Sequence, residues 1–247
     1  MKRDPKWAIK LWKWVDKNSI SKNDFPRDID NLLALRKIDI LNTKCTFLPK
    51  EIGKLVNLTH LDLVCDNLNK LPKEIGNLVN LKELLISSIQ LTQLPKEITK
   101  LNNLTDLSME CDNLTQLPKG ILKLTNLTYL YIYSKKLTKF PKKIKNLKNL
   151  LHLNLYCKKL TNLPDEIGKL SNLKELLLSY NKLKKLPKSI ANLKNLQNLQ
   201  LLENKLKKLP KEIVNLVNLN ELYIDNKRVL SKKQQKWIKI NNIKIKR

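Results

Sequence analysis

Hydrophobic residues recur along this chain with a period of 23 residues, and proline marks the period. Isoleucine occupies the third position after the proline, and leucine the sixth and ninth positions, in all nine repeats. A strict period of this length predicts a solenoid of stacked units. Only Pro5 falls outside the series of evenly spaced prolines, which are Pro26, Pro49, Pro72, Pro95, Pro118, Pro141, Pro164, Pro187 and Pro210.

Two different spacings alternate inside each repeat. Apolar twelfth and fourteenth positions flank a variable thirteenth position, and this alternation predicts a short strand with one buried face. The segment after the proline, for example residues 49–58, has apolar residues three apart. That spacing predicts a helical turn with the proline in its first turn.

The two ends of the chain have the composition of cap helices. Residues 4–17 are expected to form a helix that begins at Asp4, and residues 231–240 a helix capped by Ser231. All four tryptophans lie in these two segments, as expected for residues that seal the ends of a solenoid. The Trp- and Lys-rich first helix also fits binding to a membrane surface, which stays open as an alternative.

The repeat pattern is L-P-x-x-I-x-x-L-x-N-L-x-x-L-x-L-x-x-N-x-L, and residues 163–183 (LPDEIGKLSNLKELLLSYNKL) follow it throughout. It strongly resembles the leucine-rich repeat family, in the 23-residue proline-containing type of bacterial and Ras-suppressor-like proteins. The resemblance implies an α/β solenoid, a right-handed horseshoe of nine repeats with a concave parallel β-sheet. It implies one domain over residues 1–247, with a helical cap in 1–24, repeats in 25–231 and a second cap in 232–247.

One position departs from the family pattern. The resemblance implies a buried asparagine at the seventeenth position that ties the turn after the strand, but only Asn181 and Asn204 keep it. We expect looser or differently paired turns in the other repeats, because buried backbone groups still need hydrogen-bond partners. Asparagine occupies the eighth position in eight of nine repeats, and we expect it to supply part of this bonding.

The cysteines do not form a disulfide framework. Cys65, Cys111 and Cys157 occupy the same position two repeats apart, about 9.5 Å at the usual strand spacing, beyond the roughly 7 Å Cα limit for a disulfide. Reduced thiols indicate a reducing compartment. We do not expect the N-terminal segment to be a classical signal peptide, because it lacks an uninterrupted apolar stretch and a small-residue cleavage site. We therefore expect a cytoplasmic protein, with export as an effector without such a signal as the alternative.

The net charge of +27 invites a hypothesis of nucleic-acid or anionic-membrane binding. The positions expected on the concave face are the tenth, eleventh, thirteenth, fifteenth and sixteenth, and they hold four basic and nine acidic residues. Lysines instead surround the prolines and the turns after the strands, and the last 21 residues contain nine bases and no acid. The concave face is thus expected to be mildly acidic, and a Lys-rich edge and C-terminal tail remain the alternative binding surface.

All six tyrosines and both histidines fall at the concave positions. Tyrosine on a rigid surface is common at the centre of protein interfaces, and acids around it would steer a basic partner. We therefore predict that the chain binds a protein partner through this face, with small GTPases, host proteins and signalling enzymes as partner classes that the resemblance implies. The predicted binding residues are Tyr129, Tyr131, Tyr133, His152, Asn154, Tyr156, Tyr180, Glu110, Asp106, Glu203, Tyr223, Asp62 and His60.

Motifs for catalysis or cofactor binding are missing from the sequence. It contains no phosphate-binding glycine loop, no Cys-x-x-Cys pair and no His-Glu-x-x-His motif. His60 and His152 lie four repeats apart, about 19 Å along the sheet, and cannot share a metal ion. We expect a monomeric, non-catalytic protein with no cofactor.

Overall fold

The computed structural model describes residues 5–21, 24–41 and 44–246, which fall into two compact units. Unit 1 contains the described residues up to Asn113 together with Pro118–Leu124. Unit 2 contains Leu114–Leu117 and the described residues from Thr125 onwards.

Unit 1 begins with helices α1 (Lys6–Lys17) and α2 (Ile29–Ala34). Its strands run parallel, and each pairs with the next in chain order. They are β1 (Lys37–Leu41), β2 (His60–Val64), β3 (Glu83–Ser88) and β4 (Asp106–Cys111). The 3₁₀ helices of this unit are Lys50–Lys54, Lys73–Asn77, Lys96–Lys100 and Ile121–Lys123.

Unit 2 repeats the same arrangement, with parallel strands paired in chain order. They are β5 (Tyr129–Ser134), β6 (His152–Cys157), β7 (Glu175–Leu177), β8 (Asn198–Gln200), β9 (Glu221–Tyr223) and β10 (Lys244–Lys246). Its 3₁₀ helices are Lys142–Asn146, Asp165–Lys169, Lys188–Asn192, Lys211–Asn215 and Lys227–Val229. Helix α3 (Lys232–Ile240) precedes the last strand.

Each helical segment after a proline is short and tightly stacked. Pro49 has an extended backbone (φ −70°, ψ 148°) and precedes the 3₁₀ helix, so the expected place of proline inside the first turn is wrong. Its carbonyl accepts the first 3₁₀ bond, from the Ile52 amide at 3.1 Å. A Cβ at Gly53 would lie 2.5 Å from the Glu74 carbonyl oxygen of the next repeat, so glycine permits this close stacking.

The asparagine of the eighth position forms a ladder between repeats. Its side-chain amide donates to the carbonyl of the seventh position one repeat earlier, as Asn57 does to Leu33 (2.8 Å) and Asn172 to Lys148 (3.0 Å). The ladder lies before the strand and does not reach the turn after it, so the expectation that this asparagine replaces the missing seventeenth-position asparagine is wrong; it pairs a carbonyl of the seventh position instead. The same bond is made by Asn80, Asn103, Asn149, Asn195 and Asn218.

The end of the strand is where the sequence-based model needs correction. The sixteenth position was assigned to the concave face, but in five repeats its side chain is buried on the core side. The chain stays extended through this position, so alternation turns an even-numbered residue inward. The buried residues are Cys65, Ser88, Cys111, Ser134 and Cys157.

Both cap helices are confirmed. Helix α1 begins at Lys6 with Pro5 as its N-cap, and Asp4, its expected N-cap, lies outside the described residues. The Trp14 indole donates to the Phe47 carbonyl (3.1 Å) and ties α1 to the first repeat. Ser231 and Gln234 form a reciprocal capping box at the start of α3. Strand β10 was not predicted.

The predicted fold class is confirmed: the chain is a solenoid built from parallel strands and 3₁₀ turns. Its core consists of the leucines and isoleucines of the repeat pattern, almost all of them fully buried. None of the helices in the described residues combines the length and the hydrophobicity needed to cross a membrane.

Candidate partner-binding surface

The strand positions eleven, thirteen and fifteen form a surface on the side of each sheet that faces away from the core. In β5 the half-buried Tyr129, Tyr131 and Tyr133 alternate with the buried Leu130 and Ile132. We call this surface the open face. Its backbone is fixed by the parallel ladder, so its side chains project from a rigid base.

Unit 2 brings seven of the predicted residues together on its open face. The register places Tyr129 beside His152, Tyr131 beside Asn154 and Tyr133 beside Tyr156. Neighbouring strands lie about 4.8 Å apart, so these pairs are in direct reach of one another. We call this group the tyrosine patch, comprising Tyr129, Tyr131, Tyr133, His152, Asn154, Tyr156 and Tyr180.

Tyr180 extends the patch by an unusual backbone conformation. Its φ of 59° lies in the left-handed region, and its side chain is 52% exposed. The Tyr156 and Tyr180 rings stack with centroids 5.5 Å apart and an interplanar angle of 22°. Burial raises the pKa of Tyr156, and the neighbouring Tyr180 raises it further. Stacking restricts the orientation of both rings.

A histidine–carboxylate pair borders the patch. His152 Nδ1 lies 2.9 Å from Glu175 Oε2, and the Tyr129 ring is tilted against the imidazole with centroids 6.3 Å apart. Glu175 was not among the predicted site residues. Its position one repeat after His152, at the same eleventh position, would have indicated this contact.

The floor of the patch contains an unused hydrogen-bond acceptor. Asn154 Oδ1 is buried and accepts no hydrogen bond from the part of the chain that the structure describes. It lies between Tyr131 on one neighbouring strand and Leu177 on the other. Buried acceptors of this kind are uncommon in folded proteins, and among the described residues Asp39 Oδ1 and Asn198 Oδ1 on the open face share this feature.

Glu203 and Tyr223 lie elsewhere in unit 2 and have local partners. The Glu203 amide donates to both oxygens of Asp225 (2.9 and 3.0 Å). The Tyr223 hydroxyl donates to Glu221 (3.1 Å) and accepts from Lys246 (2.9 Å). The same lysine lowers the pKa of Glu221 by its hydrogen bond. Tyr223 therefore helps to hold β10 in place.

The four remaining predicted residues lie in unit 1, on the open face of β2 and β4. His60 Nε2 is 3.0 Å from Glu83 Oε1, the same arrangement as His152 with Glu175. Asp62 pairs in register with Asp39. Burial raises the pKa of Asp62, and the Asp39 charge raises it further. With Asp106 and Glu110 these residues form an acidic surface.

Metal binding has no support in the described ranges. They contain no group of three or more histidine, cysteine, aspartate or glutamate side chains arranged to hold a metal ion. The open-face histidines each pair with a glutamate instead.

A groove of about 970 Å³ lies in unit 2, on the side where the prolines precede the 3₁₀ helices. Leucines of three adjacent repeats and prolines of two line it, and Asp165 and Glu212 contribute negative charge. We call it the lysine groove after its four basic residues, which are Lys185, Lys188, Lys208 and Lys211.

Comparison with known proteins agrees with this architecture. The family model described as "Leucine-rich repeat region" matches residues 15–90, 73–179 and 158–244. These matches extend over most of the chain, so the protein belongs to the leucine-rich repeat family. No curated protein matches the chain.

Two solved structures illustrate the likeness. A leucine-rich repeat protein of Leptospira interrogans is 29% identical, with 90% of this chain and 86% of that chain covered and a TM-score of 0.36. The other is the leucine-rich repeat ectodomain of the Arabidopsis thaliana membrane receptor kinase GASSHO1/SCHENGEN3, solved in complex with CASPARIAN STRIP INTEGRITY FACTOR 2. It is 22% identical, with 88% of this chain and 33% of that chain covered and a TM-score of 0.59. The second likeness concerns the fold.

Proposed function

We propose that this protein is a non-catalytic interaction module that binds a protein partner through the open face of unit 2, centred on the tyrosine patch. Leucine-rich repeats are a general scaffold for protein binding. The observation that carries the proposal is the cluster of half-exposed tyrosines in adjacent register positions on a rigid sheet. Tyrosine offers a large contact area and one polar group at a small cost in conformational entropy.

The charges around the patch favour a partner with a basic surface. Glu175 lies beside His152, and the exposed Glu203 lies on the same side of the next repeats. Carboxylates at the rim of an interface mainly accelerate association and exclude partners of the wrong charge. The tyrosines are therefore expected to provide affinity, and the acids to provide selectivity.

The test compares partner capture by folded variants. Immobilised wild type and the Tyr131→Ala/Tyr156→Ala double variant are incubated with native lysate and washed at high salt. The proposal predicts a protein that wild type retains and the double variant loses by at least about tenfold. A Lys185→Ala/Lys208→Ala variant is the matched control and should retain that protein. Equal capture by a folded double variant would overturn the proposal.

The lysine groove favours a second candidate function, electrostatic binding of nucleic acid or anionic membrane. Four lysines around one groove and the net charge of +27 support it. Because α3 and β10 pack as parts of unit 2, the test uses substitution of the four lysines by glutamine and not removal of residues 232–247. Binding to duplex DNA or anionic vesicles should fall steeply with salt and with these substitutions. Binding that neither salt nor substitution weakens would exclude it.

A further inference from the structure

The lysine groove is built from two adjacent copies of one short segment. Residues 185–188 and 208–211 both read Lys-Leu-Pro-Lys, and they lie side by side because the strands that follow them, β8 and β9, pair in parallel. Each leucine–proline pair thus has a lysine before it and a lysine after it. The half-buried Pro187, Pro210 and Val229 give the groove an apolar lining.

Most of the positive charge at the groove is unpaired. Lys188 is the only one of the four lysines that makes an ion pair within the described residues, with Glu212 Oε1 at 4.0 Å. Its side chain is still 80% exposed, so this pair is weak. Lys185, Lys208 and Lys211 therefore have their charges available to an anion.

The basic part of the groove is short. In the preceding repeat the same segment reads Asn-Leu-Pro-Asp (162–165), so Asp165 interrupts the row of lysines. At the other end α3 borders the groove, and the Gln234 amide donates to the Pro210 carbonyl at 2.8 Å. The two lysine repeats span about 10 Å at the usual strand spacing, which is the length of about three residues of an extended chain.

Unit 1 has a groove at the equivalent positions, with a volume of about 610 Å³. Its two segments read Phe-Leu-Pro-Lys (47–50) and Lys-Leu-Pro-Lys (70–73). The exposed Phe47 occupies the repeat position that Lys185 has in unit 2, and Lys70 is the only basic residue among the described ones that line this groove. The repeat geometry therefore creates the groove, whereas the paired lysines belong to the sequence of unit 2.

We infer that the lysine groove is a docking site for an acidic, extended peptide segment of a partner protein, in which carboxylate side chains alternate with apolar ones. The carboxylates pair with Lys185, Lys208 and Lys211, and the apolar side chains contact the prolines and Val229. Alternate residues of an extended chain lie about 6.6 Å apart and the two lysine segments about 4.8 Å apart. The flexible four-carbon stem of lysine spans this difference.

Other anions fit the groove less well. None of the described residues that line it is aromatic, whereas single-stranded nucleic acid binds by stacking its bases on aromatic rings. The continuous phosphates of a duplex would be repelled by Asp165 and Glu212, and the flat surface of a membrane cannot follow a concave groove. A peptide can place its few charges beside the lysines alone. It competes with the second candidate function for the same four lysines.

The experiment titrates ¹⁵N-labelled full-length protein with two short synthetic peptides of equal charge, one alternating aspartate with leucine and the other aspartate with serine. We expect the aspartate–leucine peptide to shift the amide resonances of residues 185–188 and 208–211. The aspartate–serine peptide should bind at least about tenfold more weakly, because it cannot use the apolar lining.

The variants separate this site from general charge and from the tyrosine patch. Lys185→Gln/Lys208→Gln should weaken binding of the aspartate–leucine peptide about tenfold. Lys70→Gln/Lys73→Gln removes the same charge from the identical segment in unit 1 and should bind like wild type. Tyr131→Ala/Tyr156→Ala should also bind like wild type, so failure of the first proposed function leaves this inference standing.

Four outcomes would overturn the inference. They are no binding of the aspartate–leucine peptide, equal affinity for the two peptides, equal losses in the two lysine variants, and resonance shifts outside the two lysine segments. Duplex DNA and phosphatidylserine vesicles are titrated in parallel. If either binds through Lys185 and Lys208 more tightly than the aspartate–leucine peptide, the groove serves the second candidate function instead.

Discussion

The repeat that contains β6 and the repeat that contains β7 form different turns at the ends of their strands. Strand β6 has six residues and ends at the buried Cys157, whereas β7 has three residues and is followed by the exposed Tyr180. In the first, the Leu160 amide bonds directly to the Cys157 carbonyl (2.8 Å). In the second, the side chain of Asn181 organises the turn.

Asn181 is the hydrogen-bonding centre of its turn. Its Oδ1 accepts from the Cys157 amide (2.8 Å), and its Nδ2 lies 2.7 Å from the carbonyls of Leu155 and Leu178 and 3.2 Å from that of Ser179. Asn204 Nδ2 makes the equivalent bonds one repeat later, to the carbonyls of Leu178, Leu201 and Leu202, whereas its Oδ1 accepts from the Leu183 amide. In the repeats of β3 and β5, which lack this asparagine, serine at the sixteenth position fills this role. Ser134 Oγ donates to Leu114 (2.7 Å) and accepts from the amides of two following residues.

The difference determines which residues reach the open face. With cysteine or serine the strand continues through the sixteenth position, whose side chain points into the core. With asparagine at the seventeenth position the chain turns earlier, and the sixteenth residue adopts the left-handed region, as Tyr180 (φ 59°) and Glu203 (φ 53°) do. The tyrosine patch lies where one turn type replaces the other, and the change of turn supplies Tyr180 to it.

The largest expected effect comes from Asn181→Ala. The substitution removes hydrogen bonds from a buried turn and leaves several backbone groups unpaired, so we expect a loss of about 3 kcal/mol in the free energy of unfolding. Urea denaturation measures it. Asn172→Ala, which removes one exposed ladder bond, is the control and should cost only about 1 kcal/mol. Equal losses in the two variants would mean that Asn181 does not organise the turn.

Ser134→Ala probes the other turn type. The hydroxyl of Ser134 is fully buried and bonds three backbone groups, so we expect a loss of about 1.5 kcal/mol in unfolding free energy. Ser108→Ala removes a serine hydroxyl from the open face of β4 and should change stability by less than about 0.5 kcal/mol. A near-neutral Ser134→Ala would show that the serine turns do not depend on this hydroxyl.

Glu203→Asn should stabilise the protein slightly. A left-handed backbone costs most side chains about 1–2 kcal/mol, whereas asparagine tolerates it. We expect a gain of about 0.5 kcal/mol, measured by thermal unfolding. The same change at Lys174, whose φ is not positive, should give no gain. If Glu203→Asn destabilises the protein, the interactions of the Glu203 side chain contribute more to the free energy of unfolding than its left-handed backbone costs.

The smallest effect concerns the titration of Tyr156. Removal of the second ring in Tyr180→Ala should move the raised pKa of Tyr156 down towards its ordinary value of 10.0, although burial, the larger cause, remains. An acid with a raised native pKa loses stability as pH rises past its unfolded value. Wild type should therefore lose stability above about pH 10 more steeply than the variant. Tyrosine absorbance and NMR titrations measure the shift, and an unchanged Tyr156 pKa would contradict the stacking contact.

The repeat pattern was sufficient to predict the solenoid, the strand positions and the cap helices. Leucine at fixed positions can be buried in only one way when identical units stack, so local spacing and tertiary packing agree. It was also sufficient to place Tyr129, Tyr131 and Tyr133 on one face, because successive side chains of a strand point to opposite faces of the sheet.

The sequence-based model failed at the sixteenth position because it treated every repeat alike. The chain contains a correlation that identifies the two turn types. Repeats with asparagine at the seventeenth position have a large polar residue before it, and the five misassigned repeats have cysteine or serine there.

The most direct test of the account is site-specific photo-cross-linking with a benzophenone amino acid in place of Tyr156, with Lys148 and Lys185 as comparison positions. Lys148 is exposed and lies at the seventh position, away from the strands, and Lys185 lies in the lysine groove. The account predicts a discrete protein adduct from position 156 and none of that mass from position 148 or 185. An adduct from position 185 alone, or the same adducts from all three positions, would contradict partner binding through the tyrosine patch.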